Sequence, residues 1–285
     1  MQLMASEPAA GACAAISLFN ISIPFSLRRG VAMKDKNVHL GKIVKNGRVL
    51  ILAMDQGLEH GPADFNEKNI NPEYVCDVAA RGGFTGFALQ KGIAKHYKEC
   101  YSGKVPLILK LNGRTNIVPK DEIYSSPVCS VKEAVALGAD AIGYTLYVGS
   151  PREADLFRDF GAISAEADDY GLPTIVWAYP RGKYVKDEKS VEMVSYAARA
   201  ALELGADIVK VNYTGDVPGF KKVVAAAGRC KVISAGGSKQ SDAEFCAKVK
   251  EVIAAGGVGM AVGRNVWQHD NPMKITEEIK KIVYK

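Results

Sequence analysis

The sequence predicts a single-domain α/β fold, a (β/α)8 or TIM barrel over residues 33–285. Three observations predict it. Eight short apolar runs rich in Val, Ile and Leu alternate with helix-like segments from residue 46 onward, and runs that are apolar throughout suit strands buried on both faces. A helix end, a glycine, one or two small residues and then a strand recur in ARGGFTGFAL (80–89), ALGADAIGY (136–144), ELGADIVKV (203–211) and AAGGVGMAV (254–262). Such a unit repeated in one register argues for a closed barrel. A doubly wound sheet is the alternative, but the GxGxxG expected after its first strand is missing.

Taken in order, the runs are VLILAM (49–54), GFAL (86–89), PLILKL (106–111), AIGYTL (141–146), PTIVWAY (173–179), IVKV (208–211), KVIS (231–234) and GMAV (259–262). In a barrel of this kind the chemistry lies at the C-terminal ends of the strands. The residues at and just past the end of each run are therefore informative. The first run leads to Asp55-Gln56-Gly57-Leu58-Glu59-His60 and the second to Gln90-Lys91. The third carries Lys110 and Asn112, the fourth Tyr144 and Tyr147. The fifth ends in Trp177-Ala178-Tyr179-Pro180-Arg181, the sixth holds Lys210, the seventh gives Ser234-Ala235-Gly236-Gly237, and the eighth Gly263-Arg264-Asn265. Polar residues and glycines gather at one end. The other end shows chiefly Gly-Ala-Asp turns, which fit stability.

The chain has 285 residues, 48% apolar and 24% charged, with a net charge of +6. The excess of Lys and Arg is mild and spread out, which suits small anionic substrates at least as well as nucleic acid, since the latter usually calls for a concentrated basic stripe. Six cysteines form no CxxC pair and four histidines no HxH or HExxH pattern. These spacings favour buried thiols in a reducing, cytoplasmic setting and argue against a histidine metal site. No apolar run reaches membrane-spanning length. Residues 13–27 are apolar but are followed, not preceded, by their arginines, unlike a signal peptide. Residues 1–32 are therefore expected to be an extension: a disordered segment, an amphipathic helix or, the reading favoured here, residues upstream of a natural start at Met33.

Glycines after strands seven and eight suit a phosphate site, because backbone N–H groups of Gly236, Gly237 and Gly263 can approach phosphate oxygens without a Cβ in the way. Arg264 would add a charge-assisted bond. Alternation along IVKV places Lys210 with Ile208 on the face opposite the two valines. Pointing into the barrel, its amine would be neutralised by burial and could attack a ketone. A structural lysine paired with a buried carboxylate is the other possibility, and Lys110 is a rival nucleophile. Tyr179 suits proton transfer or plain packing. Asp55 and His60 suit sugar hydroxyls or proton transfer, Glu59 suits solvent, and Trp177 suits a pocket wall or the core.

Six ordered motifs, DQGLEHGPADF (55–65), LKLNG (109–113), VWAYPRG (176–182), GADIVKVNYTGD (205–216), SAGG (234–237) and AVGRNVWQ (261–268), make the chain from about residue 45 onward resemble the archaeal-type class I fructose-1,6-bisphosphate aldolases. The resemblance implies Lys210 as the Schiff-base residue and Tyr179 as the proton-transfer residue. It implies Asp55 and His60 as pocket residues and Trp177 and Arg181 as substrate contacts. Gly236, Gly237, Gly263 and Arg264 would stand in its phosphate-binding loops, and Ser234, in the SAGG motif, would contact substrate. It further implies a homo-oligomer, often a pentamer-based decamer, with no metal or other cofactor. Some relatives carry His where this chain has Gln56. Cousins that make 2-amino-3,7-dideoxyheptulosonate or process a phosphorylated autoinducer remain alternatives. So do a metal-dependent barrel and a non-catalytic barrel that binds sugar phosphates.

Overall fold

All eight apolar runs are strands. The structure, a computed structural model, describes residues 35–119 and 121–285, and the expected extension at 1–32 lies outside them. The strands are β1 (Val49–Ala53), β2 (Gly86–Gln90), β3 (Leu107–Lys110), β4 (Ala141–Val148), β5 (Thr174–Pro180), β6 (Ile208–Val211), β7 (Lys231–Ala235) and β8 (Gly259–Val262). Each pairs in parallel with its sequence neighbours, and β8 returns to β1 to close the barrel.

At least one helix follows each strand, and the eight main ones are α1 (Pro72–Gly82), α2 (Lys91–His96), α3 (Val131–Leu137), α4 (Glu153–Asp169), α5 (Val191–Glu203), α6 (Val217–Ala226), α7 (Asp242–Ala254) and α8 (Pro272–Val283). Their starts are written in the sequence. Asn71, Ser130, Ser190, Asp216, Ser241 and Asn271 each accept a hydrogen bond from an amide of the first turn, satisfying donors the helix itself leaves open. The four repeated helix ends close on Gly83, Gly138, Gly205 and Gly256, all with positive φ, a conformation that costs glycine nothing.

The two-residue period of the strands sorts the core into two layers. Leu50, Phe87, Val176, Val209 and Met260 face the helices, while Ile51, Ala88, Ile108, Ile175, Ile208 and Ile233 fill the bore. Each of these Ile, Leu, Val, Met and Phe side chains contributes about 1.5–3 kcal/mol on full burial. At the seam, a Cβ on Gly259 would fall on the Val49 carbonyl, so glycine is what lets β8 meet β1.

The Gly-Ala-Asp turns hold the N-terminal end of the barrel. Asp207 accepts from the Thr174 amide at 2.8 Å and from Lys36 Nζ at 3.2 Å, and Asp140 accepts from the Leu107 amide at 3.3 Å. Lys36 belongs to a leading helix, Lys36–Ile43, whose Ile43 enters the bore cluster. Replacing Asp207→Ala strands the Thr174 amide, so urea unfolding should show a loss of about 1–3 kcal/mol. Because this end is remote from the polar mouth, ligand binding at the mouth should be unchanged.

Candidate active site

At the C-terminal ends of the strands the inward-facing positions change character. Gln90, Lys110, Thr145, Tyr179, Lys210 and Asn212 continue the phase of the bore residues beneath them, and all line one cavity. Lys210 is 7% exposed. Its Nζ lies 4.9 Å from the centre of the Trp177 ring, on the residue directly beside it in β5. Among the described residues no carboxylate stands within 4.0 Å of its amine, so the paired structural lysine that the sequence left open is not what is found. Burial lowers its pKa from 10.5, opposed by the carboxylates of Asp55 and Glu59 and assisted by Arg181.

Lys110 is a second buried amine in the same cavity. Its Nζ lies 5.5 Å from the Trp177 ring centre and donates to the Asn112 carbonyl at 3.2 Å. Burial lowers its pKa as well, against Asp55 and Glu59. The residue between β3 and β5 that makes room is Gly143, where a Cβ would sit 2.6 Å from the Trp177 ring and 3.2 Å from the Lys110 stem. Trp177 thus both fills the bore and walls the cavity.

Tyr179 stands one pleat above Trp177. Burial raises its pKa well beyond 10; Arg181 opposes this, and Asp55 and Glu59 reinforce it. The phenol therefore holds its proton. The Arg181 guanidinium carbon lies 5.0 Å from the Tyr179 ring centre and 5.7 Å from that of Tyr147. It is clamped by Glu59 and Glu188, each at 3.1 Å. Glu59, which the sequence suggested would be solvated, is instead a half-buried wall residue that fixes Arg181.

The loop after β1 brings Asp55, Gln56 and a short helix, Gly57–His60, over the mouth. His60 pairs through Nδ1 with Asp64. Asp64 also faces Arg264 Nη1 at 3.5 Å, which docks the loop after β8 against the loop after β1. Gly236, Gly237, Gly263 and Arg264 all line the cavity.

Two expectations need correction. The Gly236 amide donates to the Ala261 carbonyl at 2.8 Å, extending the β7–β8 ladder by one residue, so this N–H is not free for a phosphate. Ser234 does not line the cavity. It is fully buried and donates to the Ala235 carbonyl at 3.3 Å. The alternation that turns Ile233 and Ala235 inward turns Ser234 toward the helices.

Arg114 and Ser125 are wall residues that the sequence did not single out. Both lie in the long connection after β3, where a short antiparallel pair, Asn112–Gly113 with Ser126–Pro127, folds the chain back over the mouth. The Asn112 side chain bonds both ways to Thr145 and to the Ser125 carbonyl, tying this connection to β4. Three donors that border the cavity, Gln56 Nε2, Arg114 Nη1 and Trp177 Nε1, are buried with no acceptor among the described residues. Buried donors rarely go unpaired, so the cavity suits a ligand rich in oxygen acceptors. Among the described residues no three His, Cys, Asp or Glu side chains converge as a metal site.

The profile of the DeoC/LacD family aldolases matches residues 49–269. The fructose-bisphosphate aldolase class 1 of Thermoproteus tenax is 46% identical over 243 residues, 84% of this chain and 91% of its own. That of Halobacterium salinarum is 45% identical over 244 residues, 85% and 92% of the two chains. A solved archaeal fructose-1,6-bisphosphate aldolase, its catalytic Lys covalently bound to the carbinolamine intermediate of its substrate, matches with a TM-score of 0.84. It is 44% identical and covers 88% of this chain and 100% of its own. A fructose-bisphosphate aldolase from Slackia heliotrinireducens matches with a TM-score of 0.82 at 33% identity, over 87% and 85% of the two chains.

The electrostatics can be tested without any substrate. After reductive 13C-methylation, an NMR titration should place the Lys210 amine below 10.5. Asp55→Asn should lower it further, because that substitution removes the leading influence that favours the ammonium.

Proposed function

Because the chain belongs to the DeoC/LacD family of aldolases, we propose that Lys210 is the Schiff-base nucleophile of this cavity. The protein is a class I aldolase that reversibly cleaves fructose 1,6-bisphosphate to dihydroxyacetone phosphate and glyceraldehyde 3-phosphate, as its relatives' identity over most of the chain indicates. The observation that carries the assignment of Lys210 is its setting: an inward-facing amine at the mouth, beside Trp177, with a pKa lowered by burial and, unlike Lys110, which donates to the Asn112 carbonyl, no acceptor or carboxylate partner among the described residues.

In this mechanism the neutral Lys210 amine attacks the C2 ketone. The carbinolamine loses water with help from Asp55, leaving an iminium. That cation draws the electrons of the C3–C4 bond as it breaks, so a neutral enamine forms in place of an enolate. The same positive charge, with Arg181 already beside the ring, lowers the phenol pKa that burial had raised. Once the iminium exists the phenol releases its proton to water at the mouth; the phenolate takes the C4 hydroxyl proton as the C3–C4 bond breaks, and the phenol so formed returns a proton to C3. Water releases the second product from Lys210.

The C1 phosphate would lie on the Gly237 and Gly263 backbone with Arg264. Gly236 contributes only its missing side chain. Arg114 and Arg181, on the other rim, suit the second phosphate, and the two anchors together set the reacting bond between Lys210 and Tyr179. His60 holds Asp64 and, through it, Arg264. The division into an extension at 1–32 and a barrel at 33–285, a cytoplasmic location and a homo-oligomer, pentamer-based decamers included, are proposed from the sequence and its resemblance.

Borohydride reduction in the presence of dihydroxyacetone phosphate should leave a substrate-dependent adduct on Lys210. An unmodified Lys210 in protein that binds the substrate would sink this mechanism. Tyr179→Phe should still form the adduct but lose about 10²–10⁴-fold in cleavage rate.

A further inference from the structure

One partly buried amine has no role in that mechanism. Lys248 lies in the middle of α7, behind the loop after β7. Its Nζ donates to the Gly236 carbonyl at 3.0 Å and stands 3.4 Å from where a Cβ on Gly237 would be. Among the described residues no carboxylate lies within 4.0 Å of it. The charges around it are engaged elsewhere. Glu244, one turn earlier on α7, is held in the capping box with Ser241. Glu251, one turn later, accepts from the Tyr213 hydroxyl at 2.8 Å. Lys239 donates to the Gln268 carbonyl and Arg264 faces Asp64. Lys189, before α5, adds a like charge. Burial, with Lys189 second, lowers the Lys248 pKa to about 8.

A cation held away from water beside a neutral carbonyl and another cation lacks a counterion. An anion seated on Gly237 would supply one. We propose that Lys248 is a positioning residue of the phosphate site, an ammonium behind the Gly236–Gly237 loop that strengthens capture of a phosphate monoester through the loop. This rests on the assignment of that loop to the C1 phosphate.

Linkage gives the sign. A bound anion favours protonated Lys248, so binding raises its pKa. Each pKa unit regained corresponds to about tenfold in affinity, present below the free-state pKa and lost as pH rises past it.

The test is calorimetric titration of the full chain with inorganic phosphate from pH 8 to pH 10, where the ligand stays largely dianionic. Wild-type affinity should fall about tenfold across this range, with buffer-dependent heats showing proton uptake at pH 8. Lys248→Arg should keep the pH 8 affinity and flatten the profile. Lys248→Gln, with an unchanged circular dichroism spectrum, should bind about tenfold more weakly at pH 8 and also be flat. A Lys248→Gln protein that matches wild type in affinity and slope would overturn the proposal while leaving the phosphate site intact. Phosphate binding that is absent in wild type, or indifferent to Arg264→Ala, would overturn the assignment of the loop and this inference with it.

Discussion

The two-residue period of eight parallel strands is the constraint on which the rest of the molecule depends. It decides that Ile208 fills the bore and that Lys210, one pleat higher, meets the cavity. It sets Trp177 beneath Tyr179 on β5 and aligns Trp177 with Lys210 across the pair. Slipping one strand by a residue would turn its whole inward set toward the helices. Closure through Gly259, and the aspartates that fasten the opposite end, matter because they hold that phase.

The mouth that results is unevenly provided with charge. Lys110 and Lys210, and Lys248 behind the loop after β7, lie among neutral or aromatic partners, whereas Arg181 and Arg264 are held by carboxylates. The arginines keep their charge and serve as fixed anchors. The lysines yield to burial, and each keeps its proton only as far as its neighbours allow. One cavity therefore holds both amines whose pKa is lowered by burial and guanidinium groups fixed by carboxylates, with Asp55 acting at a distance on Lys110, Lys210 and Tyr179.

Much of this was legible in the sequence. Runs such as VLILAM and IVKV carry their own strand signal, and the Gly-Ala-Asp turns mark the end opposite the chemistry. Alternation was enough to turn Lys210 inward, and applied to KVIS it would also have turned Ser234 away. What escaped depends on contacts between distant segments. Arg114 and Ser125 reach the cavity on a connection with no periodic pattern. Nothing in its neighbourhood tells that Glu59 meets Arg181, 122 residues away. The Gly236 amide looked available because a glycine after a strand does not reveal that the ladder runs on past the strand's last side chain.

The filled bore has a kinetic consequence. With Ile51, Ile108, Ile175 and Ile233 packed below Trp177, the barrel is a well with one opening, not a passage. Whatever enters must leave by the route it came. Under the Schiff-base mechanism proposed for Lys210, a substrate tethered at its ketone end would present its aldehyde half to the opening when the bond breaks. The free aldehyde therefore departs before the covalently held fragment, and in the reverse direction it arrives second. The order of release is set by the floor of the barrel as much as by the chemistry above it.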